Sequence, residues 1–369
     1  MEKVLSLNEL NLLESTSVTI QTKDTILKVP MDTVPMFQLD WDNLSFSLYG
    51  MITLTDDIVT SGKIQFKDAV VTISFMDRYL QITNESFNVV KVIHSTYGAN
   101  LKGYNLSLRD TASHALANSY LGKGYDKPKN IVAIMNEFLK ELGQKELFKG
   151  ELEVEQLVVP KHIPNYEFFT QEVYRRGASL YRKRDGFIYI LKAEDSDFSK
   201  LDKEGLPLKE DTEKNYENRI HHKTISELSL IGKSQFSTTD FDFSSKENTS
   251  DDNNAIDNWS LNPLKEDAVQ TTGFKPLFGN KRSHLEQLRR ELQERNKVDV
   301  YLNGYCRRNV NTIVDVLLTG NKFDDRSVMM GDTANSGLYI VNKIQDRYVS
   351  GSLLQKLFLS RPDADKVIG

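Results

Sequence analysis

Cys306 is the only cysteine of the chain, and neither a CxxC partner nor a nearby histidine accompanies it. A thiol attacks when a neighbouring base or cation stabilises its thiolate, so an isolated Cys306 in the strand-like stretch 301–308 reads as structural. His221 and His222 are adjacent rather than spaced along one helix face, and His94, His114, His162 and His284 stand singly. That pattern supplies no metal ligand set. Gly122-Lys123-Gly124 lacks the spacing of a phosphate loop and reads as a turn between helices. Acidic pairs such as Asp56-Asp57 and Asp251-Asp252 fit polar loops better than the acid and nucleophile of a glycosidase. Phe168, Phe169, Tyr174, Tyr181, Phe187 and Tyr189 could stack on single-stranded nucleic acid, but their helix and strand spacing favours a hydrophobic core. No catalytic, cofactor-binding or metal-binding residue is therefore assigned, and no cofactor is expected.

Cations are the remaining candidates. Arg175-Arg176, Arg182-Lys183-Arg184, Arg289-Arg290 and Arg307-Arg308 each sit beside acids, which predicts solvated faces or interfaces rather than phosphate contacts. The balance of 47 Lys and Arg against 52 Asp and Glu gives a net charge of −5. A protein that wraps nucleic acid needs clustered cations instead.

The elements that would position these residues are mostly strands. Alternation in 17–21, 44–48 and 70–75, with polar turn clusters between, predicts an N-terminal β region to about residue 110. A helical stretch follows, with Ala112, Ala115, Leu116 and Tyr120 on one face. Next, Ile131, Ile134, Met135, Phe138, Leu139 and Leu142 form one apolar stripe after Pro128, and Gly143 closes that helix. A third helix begins after Pro164-Asn165, buries Tyr166, Phe169 and Val173, and ends near Gly177. It feeds a hairpin of 178–182 and 187–191 that turns at Arg184-Asp185-Gly186. Residues 196–218 read as a solvated connection and 244–258 as an exposed loop, and 283–295 as a short amphipathic helix carrying Leu285, Leu288 and Leu292. From Lys297 the pattern is β again, in 298–302, 313–318, 328–330, 338–344 and 353–359. The second β region is like the first in kind, without a residue-level repeat.

The chain has 369 residues, enough for two or three domains. Residues 1–6 show no basic region ahead of a long apolar stretch, and no window reaches the ~20 apolar residues that span a bilayer. Neither a secretory leader nor a membrane-spanning segment is expected.

Three passages resemble the phage baseplate hub family and the related base of type VI secretion spike proteins. Leu48-Tyr49-Gly50, through 61–66 to Val70–Phe75, is similar to the opening barrel of that family. Ile163-Pro164-Asn165-Tyr166, through Arg175-Arg176-Gly177-Ala178 to Asp185-Gly186-Phe187-Ile188-Tyr189, is similar to its helix and hairpin. Thr319-Gly320-Asn321, then Ser336-Gly337-Leu338-Tyr339-Ile340 to Ile344, and Arg347-Tyr348 to Arg361, resembles its second barrel. The chain departs from the pattern at 324–327, where Asp324-Asp325-Arg326-Ser327 stands in place of a Pro-Gly turn.

The resemblance implies an α+β fold of two antiparallel, tail-tube-like β-barrels with an intervening α/β portion. The expected division is 1–110 for the first barrel, 111–219 for the helices and hairpin, 220–361 for the second barrel with an insertion at about 248–296, and 362–369 for a tail. It implies a non-enzymatic virion protein: a homotrimeric hub ring that adapts a six-fold tail tube to a three-fold central spike and gates genome ejection. Expected partners are the tail tube protein, a central spike or tail-tip protein and other baseplate proteins, with DNA passing through the lumen. Any spike would be a separate chain, because no needle follows Gly369. The protein would sit in the tail baseplate after assembly in the host cytoplasm. Two alternatives are a tail-associated peptidoglycan hydrolase and the base of a type VI secretion spike.

Overall fold

The computed structural model describes residues 16–55, 66–77, 81–97, 101–192, 195, 201–204, 207–210, 219–226, 236–237, 239–242, 247–250, 270–271, 297–302, 305–319 and 335–361. The expected helix at 283–295, the strand at 328–330 and the turn at 324–327 lie outside them, as do His284, Arg289-Arg290, Asp56-Asp57 and Asp251-Asp252.

Period-2 alternation places one apolar row of each strand against a common core. In the N-terminal region the strands are β1 (Ser17–Gln21), β2 (Ile26–Val29), β3 (Met36–Asp42), β4 (Ser45–Thr55), β5 (Val70–Met76), β6 (Ile82–Tyr97) and β7 (Leu101–Asp110). Phe37, Leu39 and Trp41 of β3 point inward, as do Val71, Ile73 and Phe75 of β5. Three helices follow: α1 (Thr111–Ala117), α2 (Ile131–Glu141) and α3 (Asn165–Arg175). Then come the hairpin strands β8 (Ala178–Arg182) and β9 (Ile188–Lys192). The C-terminal region contributes β10 (Ile220–Ser226), β11 (Lys297–Leu302), β12 (Ile313–Leu317), β13 (Gly337–Val349) and β14 (Ser352–Ser360).

Both β regions belong to one 13-stranded sheet of order β10-β11-β14-β13-β3-β4-β7-β6-β5-β1-β2, with β12 and the short strand Leu208–Lys209 off this path. The sheet is mostly antiparallel, and no closed barrel forms among the described residues. Its two halves meet at β13, whose first part pairs with β12 from Gly337 to Ile340 and whose second part pairs with β3 from Lys343 to Val349. At that fork the Asn43 side chain donates to Asn311 Oδ1 at 3.1 Å and to Asn342 Oδ1 at 3.3 Å. The sheet curls, since Phe37 of β3 touches Phe75 of β5, with three strands lying between them in the sheet, at a ring-centroid distance of 5.7 Å. One core cluster draws on both regions, from Val18 through Leu108 and again from Val298 through Leu359.

The helices build a second core. Ile131, Ile134, Met135, Phe138 and Leu139 of α2 pack with Phe169, Val173, Ala178 and Ile188, and with Phe46 reaching in from β4. Gly143, at φ 71°, ends α2 in a Schellman turn, with Gln144 N donating to Leu139 O and Gly143 N to Lys140 O. The wholly buried Asn165 side chain accepts from Ser119 Oγ at 2.7 Å and Leu121 N at 2.9 Å, and donates to Leu121 O at 2.9 Å. Asn165→Ala strands those three groups at once and is expected to lower the unfolding free energy by about 2 kcal/mol, read as an earlier urea midpoint at unchanged slope.

Several sequence expectations need correction. Lys123–Tyr125 is a short strand paired with Leu157–Val159 rather than a turn between helices, its partner lying some thirty residues downstream. Tyr120 lies beyond the end of α1 and is 54% exposed, because Asn118 caps the helix two residues earlier. Leu208, expected in a solvated connection, is fully buried, since Leu208–Lys209 runs parallel to β12. Glu247–Ser250, expected as loop, is extended and paired with Thr239–Asp242. The strand carrying Tyr301 stops at Leu302, so Cys306 lies in irregular chain between β11 and β12.

Candidate functional site

The alternation that builds the sheet also puts three polar side chains on its inward row. Glu85 lies between Thr83 and Phe87, Asp346 between Ile344 and Tyr348, and Gln355 between Leu353 and Leu357, all buried. An unpaired charge in such a place is strongly unfavourable, so each needs a partner from another element. The hairpin turn between β8 and β9 supplies two. Gly186, at φ 85°, closes that turn, and Gly186 N donates to Lys183 O. The turn thereby projects Arg182 and Arg184 into the sheet.

Arg184 reaches the C-terminal region. Its Nη1 donates to Asp346 Oδ2 at 2.5 Å, its Nε to Arg308 O at 2.8 Å, and its guanidinium lies 4.0 Å from the Trp41 ring centroid. Trp41 Nε1 donates to the same Asp346 oxygen at 2.9 Å, and Gln355 Nε2 to the other at 2.9 Å. Burial works against the charge on Arg184, and the adjacent Asp346 carboxylate overcomes that effect, holding the guanidinium above its ordinary pKa. Gln355 Oε1 accepts from Arg308 Nη1 at 3.1 Å, and Arg308 Nε pairs with Glu204 at 2.7 Å. Arg307 donates to Arg184 O, and its own backbone N–H to Asp77 Oδ2 at 3.3 Å.

Arg182 reaches the N-terminal region, with Nη1 3.2 Å from Asp110 Oδ1 and Nη2 3.0 Å from Glu85 Oε2. Asp110 also caps α1 through Ser113 N at 3.0 Å and accepts from Leu48 N at 2.9 Å. A single turn of the hairpin thus ties both halves of the sheet to the helical portion. Two of the basic runs expected on solvated faces or interfaces are corrected here: Arg184 and Arg308 are buried and Arg182 nearly so, because their counterions come from distant parts of the chain, whereas Arg175 is exposed as expected.

The other candidates stay apart. Among the described residues no group of His, Cys, Asp and Glu is placed to hold a metal ion, and no helix is long and apolar enough to cross a membrane. Phe169 and Tyr181 are core residues, whereas Phe187 and Tyr189 lie partly exposed beneath Lys149, whose Nζ is 3.2 Å from the Phe187 ring centroid. This arrangement locks strands, hairpin and helical portion together by charge.

The fold is that of phage tail proteins. The 43 kDa tail protein of prophage MuSo2 from Shewanella oneidensis superposes with a TM-score of 0.58 at 14% identity, over 95% of this chain and 99% of its own. The tail protein from Neisseria meningitidis MC58 gives 0.57 at 11% identity, over 95% and 99%. The E. coli c3393 protein is described as a component of the type VI secretion system with structural similarity to T4 tail proteins gp27 and gp5. It gives 0.50 at 10% identity, over 89% of this chain and 73% of its own. No family model and no curated protein matches the sequence.

Proposed function

We propose that this chain is a structural baseplate hub protein of a phage tail. Three copies form a ring that joins a six-fold tail tube to a three-fold central spike and opens for the genome when the spike leaves. The observation that carries this reading is the superposition, over 95% of this chain and 99% of theirs, on a prophage tail protein and a second tail protein. The two β regions, 1–110 and 220–361, would act as two tube-like barrel units held around the portion 111–219. Phe37 against Phe75 supports curling of the first unit, and the β13 fork supports a fixed junction between the two. Three chains with two units each would present six faces to the tube and three equivalents to the spike.

The polar face of the sheet fits a lumen through which DNA passes without sticking. Lys343 stands 4.0 Å from Asp40, and Lys356 2.9 Å from Asp299. In the neighbouring cross-strand row, Arg347 and Lys91 are separated by Gln38, Met51 and Ser107. A face of mixed sign offers phosphates no continuous cationic track. The partners are then the tube protein, the spike or tail-tip protein and other baseplate proteins, in a virion tail assembled in the host cytoplasm.

A second reading, the base of a type VI secretion spike, is favoured by the likeness to the c3393 protein. Light scattering on the purified chain tests what both share. The expected mass is three times the chain's 42.2 kDa, reached at once or as concentration rises. A mass that stays at one chain throughout overturns the ring. Co-assembly with phage tube protein, against co-assembly with a type VI tube protein, separates the two readings.

A further inference from the structure

The Arg182 joint holds one cation and two carboxylates, and the two are not equally provided for. Asp110 accepts from Arg182, from Ser113 N and Leu48 N, and from Ser47 Oγ at 3.5 Å, four donors in all. Glu85 accepts only from Arg182 among the described residues. The strand beside it offers nothing more: Ile73 lies directly opposite Glu85 in the β5–β6 register, flanked on the same inward row by Val71 and Phe75. Arg184, the next cation, is committed to Asp346. Tyr305 is bonded to Thr83 at 2.9 Å, and Asp77 takes the Arg307 N–H. Two negative charges facing one guanidinium away from water leave an excess charge, and the carboxylate with the fewer donors, Glu85, is where a proton relieves it.

We propose that Glu85 is a protonation switch in the joint between hairpin and sheet. Ionised, it shares Arg182 with Asp110. Taking a proton from solvent, it becomes neutral, keeps one weak acceptor contact, and leaves the guanidinium to Asp110, which draws the hairpin onto the end of β7 and the start of α1. Burial raises the Glu85 pKa, and the Asp110 charge adds to that rise, while the Arg182 charge and, more weakly, the Arg184 charge oppose it without cancelling it. For a carboxyl raised in the folded state, ionisation destabilises the fold progressively as pH climbs from the ordinary carboxylate range through its own midpoint. Acidification through that window therefore strengthens the joint.

The test is a pH series of unfolding measurements on the full chain and on Glu85→Gln, joined to a carbon-13 titration of glutamate carboxyls in the wild-type protein. The expected result is that Glu85→Gln is as stable as wild type at acid pH and more stable at neutral pH. One glutamate signal should titrate above the exposed ones and be missing from the variant. Parallel stability profiles for the two proteins, or a high-titrating signal that persists in Glu85→Gln, would overturn the switch. With glutamate signals assigned in the wild-type protein, the carbon-13 titration needs no variant to fold, so a poorly folding Glu85→Gln still leaves a deciding measurement: an assigned Glu85 signal that titrates with the exposed glutamates overturns the switch.

Discussion

Arg184→Met is expected to lower the unfolding free energy by about 3–5 kcal/mol, because it leaves the Asp346 carboxylate buried without a countercharge. Trp41 and Gln355 would still donate to it, but neutral dipoles do not replace a cation 2.5 Å away. The same change removes the group stacked on Trp41 of β3 and the bond to Arg308 O, so one contact to each half of the sheet goes with it. Asp346→Leu should be comparably damaging, since it isolates a guanidinium instead. The double variant Arg184→Met with Asp346→Leu should regain a large part of the loss, because removing both charges removes the desolvation penalty too. Equilibrium urea unfolding of the four proteins closes the cycle. An Arg184→Met protein within about 1 kcal/mol of wild type would mean that water reaches the pair and that the turn holds the sheet by packing alone.

Phe37→Ala is expected to be equally severe, at about 3–5 kcal/mol, for an apolar reason. Phe37 is fully buried and stacks on Tyr348 with centroids 5.1 Å apart and planes within 6°, while tilting against Phe75 on its other side. Its removal opens a cavity at the place where the N-terminal strands meet β13. Phe138→Ala, in the helical core, supplies the contrast. The two phenylalanines belong to separate clusters, so their losses should add to within about 0.5 kcal/mol. A sum well short of additivity in unfolding experiments would show that the two cores fail together rather than independently.

Which parts of this structure could be read from the sequence follows from how far apart the determining residues lie. The helix expected from Ile131 to Leu142 runs from Ile131 to Glu141, and the hairpin expected to turn at Asp185-Gly186 does so, because stripe, cap and turn glycine are all local. The strands expected at 298–302, 313–318 and 353–359 also fall near their places, and 338–344 proves to be part of a strand of 13 residues, whereas Ile220–Ser226 was not expected. The seam was not legible in the same way. Arg182 meets Asp110 and Glu85 across 72 and 97 residues, and Arg184 meets Asp346 across 162, separations at which neighbouring residues in sequence carry no information about partners. One local signal did exist: Glu85, Asp346 and Gln355 occupy inward slots of otherwise apolar alternations, which is where a buried charge partner has to be sought. The pairing of β3 with β13, which merges two expected barrels into one sheet, is likewise a long-range choice that alternation cannot make.

The fork at β13 also sets an order of events during synthesis. Trp41 and Asp346 are 305 residues apart, so β3 emerges from the ribosome long before the strand that will cover its edge exists. Until residues 337–349 are made, the Met36–Asp42 edge stays open, with Phe37, Leu39 and Trp41 unsheltered on one side. In that interval the nascent chain is a template for the wrong partner, including the same strand of a sister chain on the same message. Translation speed between β3 and β13 would then bear on how much of the protein reaches its folded state.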